Sequence, residues 1–236
     1  MMQDHTSRQS MARRRTVDAF TRTLHALMAA SFGLAYITSE VDGLRVVHVT
    51  MGYTLGAVIL TRVTWGVLGP RRVSLRALGG RLAGLDQSLA MIKSLGWHEL
   101  LKRLLAVSMV TLLLCSMPVV ASGYVTYLGW FGKWPKEIHE TLGNFMLLVV
   151  GCHVGVVALL SVGKTERQVR PMITGCVAGK GPDLVKHNLV PVALAMLLLV
   201  VSFWSWQTYQ YILDPQFTQQ PRWLHPEGGY NEDDDD

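Results

Sequence analysis

Apolar residues recur along this chain in long runs, not in the short stripes of a soluble amphipathic domain. Five runs stand out, at about 23–39, 47–68, 101–122, 139–161 and 190–207. A hydrocarbon core of about 30 Å needs about 20 mostly apolar residues in helical form, so each run predicts a membrane-spanning helix. The polar connections between them reach only about 30 residues, which places any function in the bundle or on its two faces. The pattern predicts an all-α membrane protein. An N-terminal segment (1–22) leads into a four-helix core (23–161), followed by a loop (162–189), a fifth transmembrane helix (190–207) and a tail (208–236).

Composition agrees: 50% of residues are hydrophobic, and the mean hydropathy is positive at +0.26. Arg13, Arg14 and Arg15 ahead of the first run mimic a signal peptide. No small-residue cleavage site follows Tyr36-Ile37-Thr38-Ser39-Glu40, so a retained first helix is expected, with Met11 as an alternative start.

The net charge of +5 is distributed by loop. Arg8, Arg13, Arg14, Arg15 and Arg22 precede the first span; Arg71, Arg72, Arg76, Arg81, Lys93, Lys102 and Arg103 separate the second from the third; Lys164, Arg167, Arg170, Lys180 and Lys186 separate the fourth from the fifth. The alternate loops hold only Arg45, Lys133, Lys136 and Arg222. The positive-inside rule therefore predicts a multi-pass protein with its N-terminus in the cytoplasm and its C-terminus outside. Glu40, Asp42, Glu137, Glu140, Asp214, Glu227 and the run Glu232 to Asp236 fall on the opposite side. The basic balance thus signals orientation and not nucleic-acid binding.

Three cysteines, Cys115, Cys152 and Cys176, form no CxxC spacing and no CxxCH, which excludes a zinc ribbon and covalent c-type haem. Cys152 adjoins His153, but neighbours on a helix point about 100° apart, so packing is its expected role.

Four histidines fall in or at the mouths of the spans: His25, His48, His139 and His153. Ionisable groups inside a membrane are costly and mark function by default. His139 and His153 are 14 residues apart, an advance of about 21 Å that returns within about 40° of the same face. Depth then sets the pairing. The first span runs outward with His25 in its inner half, the second begins outside near His48, and the fourth runs from His139 inward to His153. The outer pair is His48 with His139 and the inner pair His25 with His153. Zinc would want three or four converging ligands, whereas isolated pairs of imidazoles suit the two axial positions of a haem iron. The expected cofactors are two haem b groups, with a quinone as a further ligand.

Gly52 and Gly56, one and two turns past His48, together with Gly33, Gly143 and Gly155, supply small positions where a macrocycle would lie against backbone. Close helix packing through a GxxxG spacing is the competing role, and the two are compatible. Arg45 is placed to meet the propionates of the outer haem. Arg62 either meets those of the inner one or snorkels to the headgroups. His5 and His225 lie in the tails and His187 in a basic loop; His98, ahead of the third span, is the substitute ligand.

These residues resemble the bacterial cytochrome b-561 family, which includes the b-type cytochrome subunits of nickel-iron hydrogenases. The matching features are Thr23-Leu24-His25-Ala26-Leu27-Met28, His48 with Gly52-Tyr53, Arg62-Val63-Thr64-Trp65-Gly66, Gly69-Pro70-Arg71, His139-Glu140 with Asn144 and His153, and Met172-Ile173-Thr174-Gly175. The resemblance implies a four-helix transmembrane haem bundle with ligands from the first, second and fourth helices. Ser74-Leu75 and Gly96-Trp97-His98-Glu99 depart from the family pattern, and the fifth helix lies beyond its core.

The expected function is that of a di-haem b-type cytochrome transferring electrons between the quinone pool and a periplasmic redox partner, a c-type cytochrome or a dehydrogenase. Two alternatives stand beside it: a stand-alone quinone-linked oxidoreductase such as a superoxide oxidase, and a haem-bearing membrane anchor. Tyr124, Tyr127, Trp130 and Trp134, with Trp204, Trp206, Tyr209 and Tyr211, read first as an interfacial aromatic belt and second as a docking surface. The acidic tail reads as a solvated segment or a steering patch for a basic partner.

Overall fold

A computed structural model describes residues 13–41, 43–68, 96–162, 169–179 and 181–214. The acidic tail, the Gly69-Pro70-Arg71 segment, Met11, His5 and His225 lie outside the described residues. In chain order the elements are β1 (Arg13–Arg15), α1 (Ala19–Thr38), α2 (Arg45–Leu68), α3 (Trp97–Tyr127), α4 (Trp134–Val162), α5 (Val169–Thr174), β2 (Cys176–Ala178) and α6 (Val190–Leu213).

Local chemistry sets the helix ends. Asp18 caps α1, its Oδ1 accepting from the Thr21 amide at 2.7 Å and its Oδ2 from the Thr21 hydroxyl at 3.0 Å. Between α3 and α4 the chain reverses over residues 128–133, where Gly129, Phe131 and Gly132 all take positive φ; two of these are glycines, which enter that region at no steric cost. Pro118 sits inside α3.

Adjacent long helices run antiparallel. Phe20 at the start of α1 meets Trp65 near the end of α2, ring centroids 5.2 Å apart. At the other end the Ala35 carbonyl meets the His48 ring. The closest pairings are α3 with α4 and α1 with α2; α2 joins the two hairpins, and α6 leans on α1 and α2. Two apolar clusters follow from this arrangement. One gathers Phe32, Leu55, Ile59, Val119 and Met146 from the four helices of the core. The other joins Phe20, Leu24, Leu27 and Val58 to Ala193 and Val200 of α6.

Among the described residues four helices, α2, α3, α4 and α6, are long and apolar enough to cross a membrane. Their outward faces expose leucines such as Leu114, Leu148 and Leu198, a surface suited to lipid and not to water. The first predicted span, α1, falls below that apolarity because Arg22 and His25 occupy its first half.

The expectation of an all-helical chain needs one correction. β1 and β2 form a two-stranded antiparallel ribbon in which Arg13 pairs with Ala178, Arg14 with Val177 and Arg15 with Cys176. It ties the N-terminal segment to the 162–189 connection, which were expected to be separate. Gly175 is required beside it: its φ is +75°, a Cβ there would lie 2.8 Å from the Val17 carbonyl oxygen, and its own carbonyl accepts from the Val17 amide at 3.2 Å.

Candidate histidine-pair site

The antiparallel arrangement sorts the four histidines into two groups at opposite ends of the bundle. His48 lies in the first turn of α2 and His139 in the second turn of α4, both at the end where the two hairpins reverse. Their ring centroids are 6.0 Å apart, with the planes nearly perpendicular at 88°. His25 in the second turn of α1 and His153 toward the end of α4 lie at the other end. Among the described residues no group of three or more His, Cys, Asp or Glu side chains converges, so His48 and His139 meet without a third such ligand.

Two of the rings are held in one tautomer by backbone carbonyls, and a third, that of His153, faces a serine hydroxyl. His48 Nδ1 lies 2.8 Å from the Ala35 carbonyl oxygen, which can only accept, so Nδ1 carries the proton. His139 Nδ1 lies 3.0 Å from the Val119 carbonyl oxygen and 3.2 Å from Ser122 Oγ. Ser122 spends its own proton on the Val119 carbonyl at 3.0 Å and therefore accepts from the ring. His153 Nδ1 lies 3.0 Å from Ser108 Oγ, which donates to the Leu105 carbonyl at 2.9 Å. In His48 and His139 Nε2 keeps its lone pair, the state a metal-binding imidazole requires, and in all three rings the second nitrogen is oriented by a neighbour.

The helix α3 supplies the groups that face His139 and His153, and the sequence reading left it out of the site. Ser108 and Ser122 are 14 residues apart, the same interval as His139 and His153, and in the antiparallel pair each serine meets one histidine. That shared spacing was the signal available in the sequence. Gly123 belongs to the same contact: a Cβ there would lie 2.7 Å from His139 Cε1, so the ring occupies the space a side chain would take.

The expected glycines divide. Gly33, Gly52 and Gly143 are half-buried, yet a Cβ at each would meet nothing within 4 Å; Gly155 is equally open but exposed. At Gly56, instead, a Cβ would lie 2.9 Å from Val120 Cγ1 of α3, which is the close-packing role. Arg45 is exposed at the start of α2, one turn before His48. Arg62 is half-buried, and its Nη1 is buried with no hydrogen-bond partner. Arg14 Nε, Arg22 Nε and Trp65 Nε1 share that condition at the same end, although Arg22 also donates to the Ile173 carbonyl at 2.6 Å. Four orphaned N–H donors near the His25 end call for an acceptor that the described residues do not supply.

The remaining candidates separate from the pairs. His98 and His187 are exposed, and Cys115, Cys152 and Cys176 are free thiols. Tyr36 of α1 donates to Asn144 of α4 at 2.9 Å, bringing in a residue that the family resemblance singles out.

The residues fit a haem on three counts. Two metal–imidazole bonds of about 2 Å each, plus the ring radii, span about the separation seen between His48 and His139; the Nδ1 atoms are already occupied; and half-buried glycines leave flat open space along the helices. Apolar antiparallel helices with imidazoles paired between them define a multi-pass membrane protein built to hold a planar redox group. The chain belongs to the prokaryotic cytochrome b561 family, whose model matches residues 16–175. It is accordingly a membrane b-type cytochrome that binds haem b and carries electrons. No curated protein and no solved structure matches the chain. The family match ends at Gly175, so α6 lies outside it.

Proposed function

We propose that the chain holds two haem b groups, one between His48 and His139 and one between His25 and His153, and carries electrons between the quinone pool and an extracytoplasmic redox protein. The observation that carries this reading is the His48–His139 pair, 6.0 Å between centroids, with the outer nitrogen of each ring held by a backbone carbonyl. Iron in each macrocycle supplies the one-electron ferric–ferrous couple. The chain's own residues orient the imidazoles, exclude water with apolar helices and offer cations to the propionates: Arg45 at the His48 end, Arg62 and Arg22 at the other.

In this reading α1 is a fifth span. It lies along α2 from Phe20–Trp65 to Ala35–His48, so a membrane crossed by α2 encloses α1 as well, and paired Arg22 and His25 account for its lower apolarity. The Lys and Arg distribution supports a cytoplasmic N-terminus and a periplasmic C-terminus in a bacterial inner membrane. The His48–His139 haem then lies nearest the periplasmic face, where exposed Trp130, Phe131 and Trp134 offer a docking surface to a c-type cytochrome or dehydrogenase.

The test is a pyridine haemochrome assay on the purified chain and on double variants. Two haems per chain are expected in the wild type. One should remain in His48→Ala/His139→Ala and in His25→Ala/His153→Ala, and none in His25→Ala/His48→Ala. A single haem in the wild type, or one retained in His25→Ala/His48→Ala, overturns the assignment.

A further inference from the structure

Away from the histidine pairs, a cavity of about 470 Å³ opens between α2, α6 and the last turn of α3. Its lining includes Tyr53, Thr54, Tyr127, Phe203, Trp206 and Gln207. About half of the wall comes from α6, which lies outside the family match. The volume falls in the range of small-molecule sites, and apolar walls with few polar groups are their usual character.

The polar groups are unequal in availability. The Thr54 hydroxyl is committed twice, donating to the Thr50 carbonyl and accepting from Trp204 Nε1, both at 2.8 Å. Gln207 is only 4% exposed, and its Oε1 has no hydrogen-bond partner among the described residues. An amide oxygen buried in hydrocarbon without a donor is costly, so this acceptor points to a donor that comes from outside the chain.

Position narrows the chemistry of that donor. Leu199 and Trp206 line the cavity and are also exposed on the outside of the bundle, so the mouth faces lipid. Tyr53 is eight residues into α2 and Gln207 six residues from the end of α6, which sets the amide about 9–12 Å below the helix ends. Phospholipid headgroups lie above that level, and acyl chains carry no donor. A hydroxylated ring on an apolar tail reaches the depth and brings the proton.

We propose that this cavity binds a membrane-soluble hydroxylated aromatic, with the chemistry of a hydroquinone or long-chain phenol, whose ring hydroxyl donates to Gln207 Oε1 among the rings of Tyr53 and Phe203. The site depends on none of the haem ligands, though Val49, which follows His48, is part of its wall.

The experiment uses the full haem-loaded chain in phospholipid nanodiscs, titrated with a decyl-substituted dimethoxymethyl hydroquinone and with its bis-methyl ether. Tryptophan quenching is read against empty nanodiscs. The hydroquinone should saturate, and the ether should bind about tenfold more weakly, the factor for one net hydrogen bond. Gln207→Leu should weaken the hydroquinone by the same factor and remove the discrimination, with the haem spectrum unchanged. Ala57→Phe, which fills the cavity from α2, should abolish saturable quenching. Equal affinity of the wild type for hydroquinone and ether overturns the proposal without recourse to any variant. So does quenching no greater than in empty nanodiscs, the result expected if acyl chains alone fill the space. Loss of haem from the histidine variants would leave these outcomes unaltered, so the two readings fail separately.

Discussion

Ser108 Oγ lies 3.0 Å from Nδ1 of His153 and accepts that ring's proton whenever Nε2 holds a metal. A histidine whose Nδ1–H is hydrogen-bonded is a stronger donor through Nε2 and favours the ferric state. Ser108→Ala should therefore raise the midpoint potential of the His25-end haem, by something on the order of tens of millivolts for one weak hydrogen bond. Ser122→Ala should move the His48-end haem less, because His139 retains the Val119 carbonyl at 3.0 Å. Spectroelectrochemical titration resolves both; a larger effect from Ser122 reverses the reasoning.

Gly123 leaves room for the His139 ring. With a Cβ arriving 2.7 Å from Cε1, Gly123→Ala should displace that imidazole and lose the His48-end haem, halving the haem content while sparing the His25-end component. The readout is haem per chain with the surviving potential. Full haem retention shows that the ring can shift without losing its ligand role.

Arg62 carries a buried, unpartnered Nη1. A cation beside a propionate favours the reduced, less positive site, so Arg62→Gln should lower the His25-end potential by roughly tens of millivolts, and Arg62→Lys should restore most of it. An unchanged potential would assign Arg62 to the headgroups.

The indole of Trp204 on α6 donates to Thr54 on α2 at 2.8 Å. A double-mutant cycle with Trp204→Phe and Thr54→Val should give a coupling of about 0.5–1.5 kcal/mol, the range for hydrogen bonds between membrane helices. Thermal unfolding in detergent measures it. Zero coupling means that α6 is held by apolar contact alone.

The long helices were legible because hydrophobic run length is a property of single segments. His139 and His153 needed only helical geometry to be placed on one face. The serines on α3 were harder. A serine in an apolar helix usually returns its proton to its own backbone, as Ser116 does to the Leu112 carbonyl, so Ser108 and Ser122 gain meaning only once α3 is known to lie antiparallel to α4. The ribbon of β1 and β2 was invisible for a different reason. Three arginines have no strand pattern, and their partners, Cys176 to Ala178, are remote in sequence. Gly56 shows the ambiguity of a small residue, which packing against Val120 resolves and spacing does not.

The ribbon also sets an order of events during synthesis. Arg13–Arg15 leaves the ribosome before α1, yet its partner strand begins only at Cys176. At about 5–20 residues per second, that strand arrives roughly 8–30 s later. Through that interval α1 exists with its basic leader unpaired, because the strand that pairs with Arg13–Arg15 has not yet been made. Closure of β1 onto β2, with Asn188 then accepting from the Ala19 amide at the head of α1, comes only after α4 has emerged. The small sheet is thus a late latch, able to close on a bundle whose hairpins are already in place.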